Sequence, residues 1–301
     1  MRIVFFGGGG FGIAALHMLA ETHDIQHVFS PPPRPAGRKM RITSCPLAAA
    51  AQGMALPLTE NHSTADEIRK HEPDAVVVCD YGVILPPDML TVAARGALNI
   101  HPSLLPKWRG PAPIARAIMA GDSKIGVSIM QMDAGLDTGA VLAQQQTPVL
   151  PDADYGIIHA TLAEAGAELL LSVLRDNPPP VPQDSALATY AHKILKDERV
   201  LNFSQPAEIL ERQIRALSPP GARAWWGDSP LIISAAQTTN DKGAPGEVLS
   251  ADEHGIVVGC GKNALRLLRL QKPGGQAMDA AALLRGRRQN HSESFSPPHR
   301  A

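Results

Sequence analysis

Cysteine and aromatic side chains are both scarce in this 301-residue chain, at three residues and 4%. Cys45, Cys79 and Cys260 lie far apart and form no Cys-x-x-Cys. That excludes a disulfide framework and a structural zinc site of the usual spacing. With so few rings, the core has to come from Leu, Ile, Val and Ala, within an apolar share of 44%. An excess of either charge is also lacking: the formal net charge is −1, which by itself points to no partner. No uninterrupted apolar run approaches the roughly 20 residues that span a bilayer. The N-terminus enters a strand pattern at Arg2 with no basic leader and no cleavage site. A cytoplasmic enzyme with no membrane contact is therefore expected. The His, Asp and Glu residues lack ligand spacing, so no metal is expected, and a monomer is the expected state.

Strand and helix patterns alternate through the first half. Arg2–Phe6, Ile25–Phe29, Ala75–Cys79 and Ala97–His101 read as strands, and Ala75–Cys79 is apolar throughout, as central parallel strands are. Phe11–Leu19 reads as a helix, Val127–Met132 and Val141–Gln145 as later strands, and Ala160–Leu174 as a closing helix. The expectation is an α/β domain with a Rossmann-like, doubly wound, mostly parallel sheet over residues 1–177.

Composition then shifts. Asn177–Pro182 holds four prolines and reads as a stiff, extended connector, placed at 178–203. Ser204 is a candidate helix cap, with Ile209, Leu210, Gln213, Ile214 and Leu217 on one helical face. Short strand-like runs follow at Leu231–Ile233, Gly246–Leu249, Gly255–Val258 and Ala264–Leu268, which suggests a small barrel over residues 204–301. Residues 201–301 carry 12 basic and 9 acidic side chains, a mild positive bias compatible with a polyanion.

The chemistry concentrates in Asn99-Ile100-His101-Pro102-Ser103-Leu104-Leu105-Pro106 and, further on, Gly135-Leu136-Asp137-Thr138-Gly139. Asn99 and His101 are two apart at the end of an apolar run, so in a strand they face one side. The end of that strand is the carboxyl edge of the sheet, where open α/β sheets bind ligands. An Asn donates to a developing oxyanion, and a carboxylate holds an imidazole charged or in one tautomer. No residue here is an obvious covalent nucleophile, which suits acyl transfer to a substrate that brings its own amine. Asp137 between two glycines also suits a plain turn-stabilising role.

These motifs resemble those of the folate-dependent formyltransferases, and the resemblance runs from Met1 to about Arg288, through Lys107-Trp108-Arg109-Gly110-Pro111 and Met130-Gln131-Met132-Asp133. It implies catalytic Asn99, His101 and Asp137, with Asn99 and protonated His101 stabilising the oxyanion and Asp137 setting the charge and orientation of His101. It implies 10-formyltetrahydrofolate as co-substrate, bordered by Ser103, Leu104, Leu105 and Pro106. It also implies that the small barrel is of the oligonucleotide-binding (OB) type.

Pro31–Arg41 is a long loop with four cations, Arg34, Arg38, Lys39 and Arg41, and no acid occurs from Ile25 to Thr59. Its Arg-Pro-Ala-Gly-Arg element resembles the acceptor-stem loop of the family members that act on initiator methionyl-tRNA. That makes these cations expected phosphate contacts and the methionine α-amine the expected acceptor. The alternative is a small amine, an amino sugar nucleotide or glycinamide ribonucleotide. A different class, a nicotinamide-dependent oxidoreductase, is invited by Gly7–Gly12 but weakened because the second strand ends without an acid for the ribose.

Overall fold

The structure, a computed structural model, describes residues 1–36, 40–285 and 294–296. In chain order the elements begin with β1 (Arg2–Gly7), α1 (Ile13–Thr22), β2 (Asp24–Ser30), β3 (Arg34–Ala36), β4 (Arg41–Thr43), α2 (Pro46–Gly53), β5 (Leu58–Glu60) and α3 (Ala65–Arg69). Then come β6 (Ala75–Cys79), α4 (Pro87–Leu90), β7 (Ala97–His101), α5 (Pro113–Ala120), β8 (Lys124–Gln131), β9 (Val141–Pro148) and α6 (Tyr155–Asp176). The second half adds α7 (Ala207–Ala216), β10 (Ala222–Trp226), β11 (Ser229–Thr239), β12 (Val248–Asp252), β13 (Gly255–Gly259), β14 (Ala264–Gln271), β15 (Ala277–Asp279), α8 (Ala280–Arg285) and β16 (Phe295–Ser296). Two compact units interleave along the chain. One comprises Met1–Pro113, Lys124–Pro148 and His159–His192; the other comprises Ile114–Ser123, Val149–Ile158 and the chain from Lys193.

The first unit carries a seven-stranded sheet ordered β5-β2-β1-β6-β7-β8-β9. Its strands run parallel from β5 to β7, and β8 and β9 are antiparallel. The mostly parallel sheet expected from the pattern is thus present. β1 and β6 lie at its centre, which is why all five residues of β6 are buried. On one face, Phe6 stacks on Phe29 with centroids 5.0 Å apart and meets Tyr81 edge-on at 5.2 Å.

α6 is 22 residues long and starts at Tyr155, earlier than the Ala160 expected. Its length and composition alone would let it cross a membrane, yet it is no uninterrupted apolar run, since Glu164 and Glu168 interrupt it. Half of its apolar window is buried inside the protein, with Leu162 and Leu170 fully enclosed and Glu164 and Glu168 exposed. That is the pattern of a core helix.

The second unit is sheet-rich. Its antiparallel strands pair in the order β12-β13-β14-β11-β10-β16, with β15 beside β14, and among the described residues no pairing joins β12 to β16. The core gathers Leu210, Ile214, Leu231, Ile233, Val258, Leu265 and Leu267. Ile209 departs from the expected helical face and is 43% exposed. Ser204 does not cap α7 either. The cap position is Pro206, without a side-chain cap, because the first helical amide, from Ala207, donates to Lys262 O at 3.0 Å. Arg116 grips Glu198 through two nitrogens, at 2.5 and 3.0 Å, and the Leu195 amide donates to the same carboxylate at 2.8 Å.

Candidate active site

β7 ends the parallel run of the sheet, so its last residues reach the carboxyl edge. Alternation along the strand sets Asn99, half-buried, and His101, 5% exposed, on one face. The chain then turns through Pro102–Gly110. His101 Nε2 lies 3.0 Å from the Trp108 carbonyl oxygen. A carbonyl only accepts, so Nε2 carries the proton of that bond. The nitrogen left for chemistry is Nδ1, and it lies 3.7 Å from Asp137 Oδ1. That separation exceeds a hydrogen bond.

Asp137 has φ +53°, in the left-handed region. Its other carboxylate oxygen, Oδ2, accepts from the Gly110 amide at 2.7 Å. Within the same loop, Asp133 Oδ1 accepts from the Gly135 amide at 3.0 Å and the Thr138 hydroxyl at 2.7 Å. Gly110 sits at φ +117°, and a Cβ there would lie 2.9 Å from Ala191 O. Only glycine presents its amide to Asp137 in that conformation.

The Ser103–Pro106 turn is locked from below. Ser128 Oγ, fully buried, donates to Ser103 O at 2.6 Å and accepts from the Leu105 amide at 3.1 Å. Gln144 Nε2 donates to Leu105 O and Ser128 Oγ at 2.8 and 2.9 Å. Ser103 is fully enclosed and its hydroxyl donates to Lys107 O at 2.6 Å, so it shapes the turn. Leu105 is buried as well, whereas Leu104 and Pro106 keep partial exposure.

Sequence reasoning assigned no role to Trp108, Gly110, Ser128, Gln144 or Gln183, although Trp108 and Gly110 lie in a stretch that carries the family resemblance. Most act through backbone groups or across long sequence separations, and no local side-chain pattern marks them.

The Gly-rich turn after β1 gives its amides to the protein itself: Gly8 and Gly9 donate to Asp80 O at 3.0 and 3.2 Å. A Cβ on Gly9 would fall 1.5 Å from Asp80 Oδ2. Two donors that a pyrophosphate would need at a dinucleotide turn are engaged. Burial raises the Asp80 carboxyl above its ordinary value.

Arg34 and Arg41 lie exposed on a two-stranded hairpin, β3 with β4, where a plain loop was expected. The short strands form because Arg34 pairs with Thr43 and Ala36 with Arg41. Arg38 and Lys39 fall outside the described residues. Among the described residues, no cluster of three or more His, Cys, Asp or Glu side chains is arranged to hold a metal.

Residues 1–174 match the family described as formyl transferase, and residues 193–288 match the formyl transferase C-terminal domain. A methionyl-tRNA formyltransferase of Granulibacter bethesdensis is 43% identical over 95% of this chain and 94% of its own length. One from Stenotrophomonas maltophilia is also 43% identical, over 96% and 98%. This chain belongs to the methionyl-tRNA formyltransferase family. Solved structures agree in fold. The methionyl-tRNA formyltransferase from Clostridium thermocellum superposes with a TM-score of 0.58 at 18% identity, covering 80% of this chain and 95% of its own. HypX from Aquifex aeolicus, solved with tetrahydrofolic acid, gives 0.64 at 20% identity, covering 94% of this chain and 47% of its own. Within this formyltransferase, Asn99, His101 and Asp137 fall inside the first family match, and Gln183 falls between the two.

Proposed function

We propose that the chain transfers a formyl group from 10-formyltetrahydrofolate to the α-amine of methionine on initiator tRNA, and that Asn99, His101 and Asp137 carry the chemistry. Family membership across both parts of the chain supports the reaction. The observation that supports the residues is the 3.7 Å approach of His101 Nδ1 to Asp137 Oδ1 at the sheet's carboxyl edge. Bound folate supplies the activated formyl carbon. The half-buried Asn99 amide donates to the negative charge that develops on the formyl oxygen as the amine adds. His101, tethered through Nε2, offers Nδ1 to the same centre or to the proton leaving the amine. Asp137, held by Gly110, orients the ring and takes part in moving that proton to the folate nitrogen, whose bond to the formyl carbon breaks as the oxyanion collapses, so that tetrahydrofolate leaves. The partly exposed Leu104 and Pro106 border the folate, while Ser103 and Leu105 fix the turn that presents them.

Division of labour follows the same reading: residues 1–177 carry the catalytic groups, 178–203 connect while bonding back to the Asp137 loop through Gln183, and 204–301 form the OB-like domain that binds tRNA. Arg34 and Arg41, with Arg38 and Lys39 beyond the described residues, contact the tRNA backbone. The enzyme acts as a monomer in the cytoplasm, where its tRNA substrate is used. Incubating the protein with charged initiator tRNA and formyl-folate, and resolving the product on acid gels, tests the reaction. Formylated methionyl-tRNA is the expected product. Formylation of a small amine with no tRNA product would overturn the reading.

A further inference from the structure

The segment after α6 was expected to be a connector. In the structure, part of it is a strap over the Asp137 loop. Val141 and Val181 exchange two backbone hydrogen bonds of 2.8 Å, which fixes one end. The Arg109 amide donates to Thr189 O at 2.9 Å and the Ala191 amide to Arg109 O at 2.7 Å, which fixes the other. Gln183 lies between these anchors. Its Nε2 donates to Asp137 O at 2.9 Å and to Gly139 O at 2.7 Å. Its Oε1 accepts from Arg109 Nε at 3.0 Å and Nη2 at 2.8 Å, and Arg109 is 2% exposed. Both amide protons and both oxygen lone pairs are in use.

We propose that Gln183 is a positioning residue: it clamps the Asp137 loop to the Arg109–Gly110 segment and so sets the carboxylate beside His101. The inference rests on the reading of Asp137 as part of the catalytic group. The strap is anchored by backbone bonds at both ends, so holding it down does not require the Gln183 side chain. The loop does need an outside tie. Its central residue is non-glycine at φ +53°, and Leu136 beside it is 56% exposed, with little packing to restrain it. Asp133 ties the loop to itself, whereas Gln183 ties it to the segment whose Gly110 amide holds the Asp137 carboxylate.

The test uses the full-length enzyme with Gln183→Ala, Gln183→Glu, Asp137→Ala and the double variant Gln183→Ala/Asp137→Ala. Gln183→Glu keeps an oxygen for Arg109 and the side-chain length but turns an oxygen toward two carbonyls, so it removes the clamp without emptying the space. Both Gln183 variants are expected to lower kcat by about tenfold to a hundredfold, the scale of misplacing a reacting group. The KM values for folate and tRNA should stay near wild type. The double variant should be no slower than Asp137→Ala, because residues acting through one another are not additive. Wild-type turnover in both Gln183 variants, with Asp137→Ala impaired, overturns the positioning role and leaves the catalytic reading standing. A fall that adds to that of Asp137→Ala also overturns it, since Gln183 would then act elsewhere. Full activity in Asp137→Ala defeats the catalytic reading, and the clamp with it.

Discussion

The Gly110 amide donates to Asp137 Oδ2 at 2.7 Å, so the loop that follows the His101 strand holds the carboxylate that faces His101. Two segments far apart in sequence therefore share one bond at the site. Gly110→Ala should break it. The added methyl would meet Ala191 O at 2.9 Å at a φ of +117°, a strain of about 1–3 kcal/mol. Turnover should fall by about tenfold or more with the misplaced carboxylate. Steady-state kinetics beside urea unfolding measure both, and wild-type turnover would show that the amide is dispensable.

Ser128 links the floor of the site to the Ser103–Pro106 turn. It is fully buried and its hydroxyl bonds Ser103 O, the Leu105 amide and Gln144. Ser128→Ala should leave those partners unsatisfied and destabilise the protein by about 1–3 kcal/mol. The KM for formyl-folate should rise while that for tRNA does not. Urea unfolding and a folate titration check the two expectations.

Arg34 and Arg41 stand exposed on the β3–β4 hairpin. Each phosphate contact releases counterions, so the logarithm of the tRNA affinity should fall against that of salt with a slope of about −0.9 per contact on a duplex stem. Arg34→Ala/Arg41→Ala should flatten that slope and raise the KM for tRNA, leaving folate binding unchanged. The pair Arg38→Ala/Lys39→Ala should act in the same direction. Unaltered tRNA kinetics at every salt concentration would return the hairpin to an ordinary solvated surface.

Glu198 supports a pH prediction. The Arg116 guanidinium, then the Leu195 amide, hold its carboxyl below the ordinary glutamate value. A carboxyl with a depressed folded pKa adds stability above its unfolded pKa and loses it as pH falls through the folded value. The pair is partly exposed, so its contribution is about 1 kcal/mol or less. Glu198→Gln should therefore be slightly less stable than wild type at pH 7, with the difference closing below about pH 4. Thermal unfolding across that range reads it.

Much of the architecture was legible because burial leaves marks in sequence. The run Ala75–Cys79 is apolar throughout because it sits mid-sheet, covered on both faces. The shared face of Asn99 and His101 was legible because strand alternation is local, and Asp137 through the resemblance of its Gly-Leu-Asp-Thr-Gly loop. Gly110, Ser128 and Gln183 were not, since their partners lie 27, 25 and 46 residues away. β10 escaped notice behind Pro219-Pro220-Gly221, where turn residues concealed the strand that follows. Ser204 misled because a cap is only one way to satisfy a first amide, and here Lys262 O does so.

If His101 takes part in moving a formyl group to methionyl-tRNA, its removal must slow that transfer even when folate is saturating. The most direct measurement compares wild type and His101→Ala for formylation of charged initiator tRNA at saturating formyl-folate, with both proteins shown to unfold at similar temperatures. Wild type should yield formyl-methionyl-tRNA, and His101→Ala should turn over about a hundredfold more slowly or worse. Near-equal turnover in the two proteins would remove His101 from the chemistry.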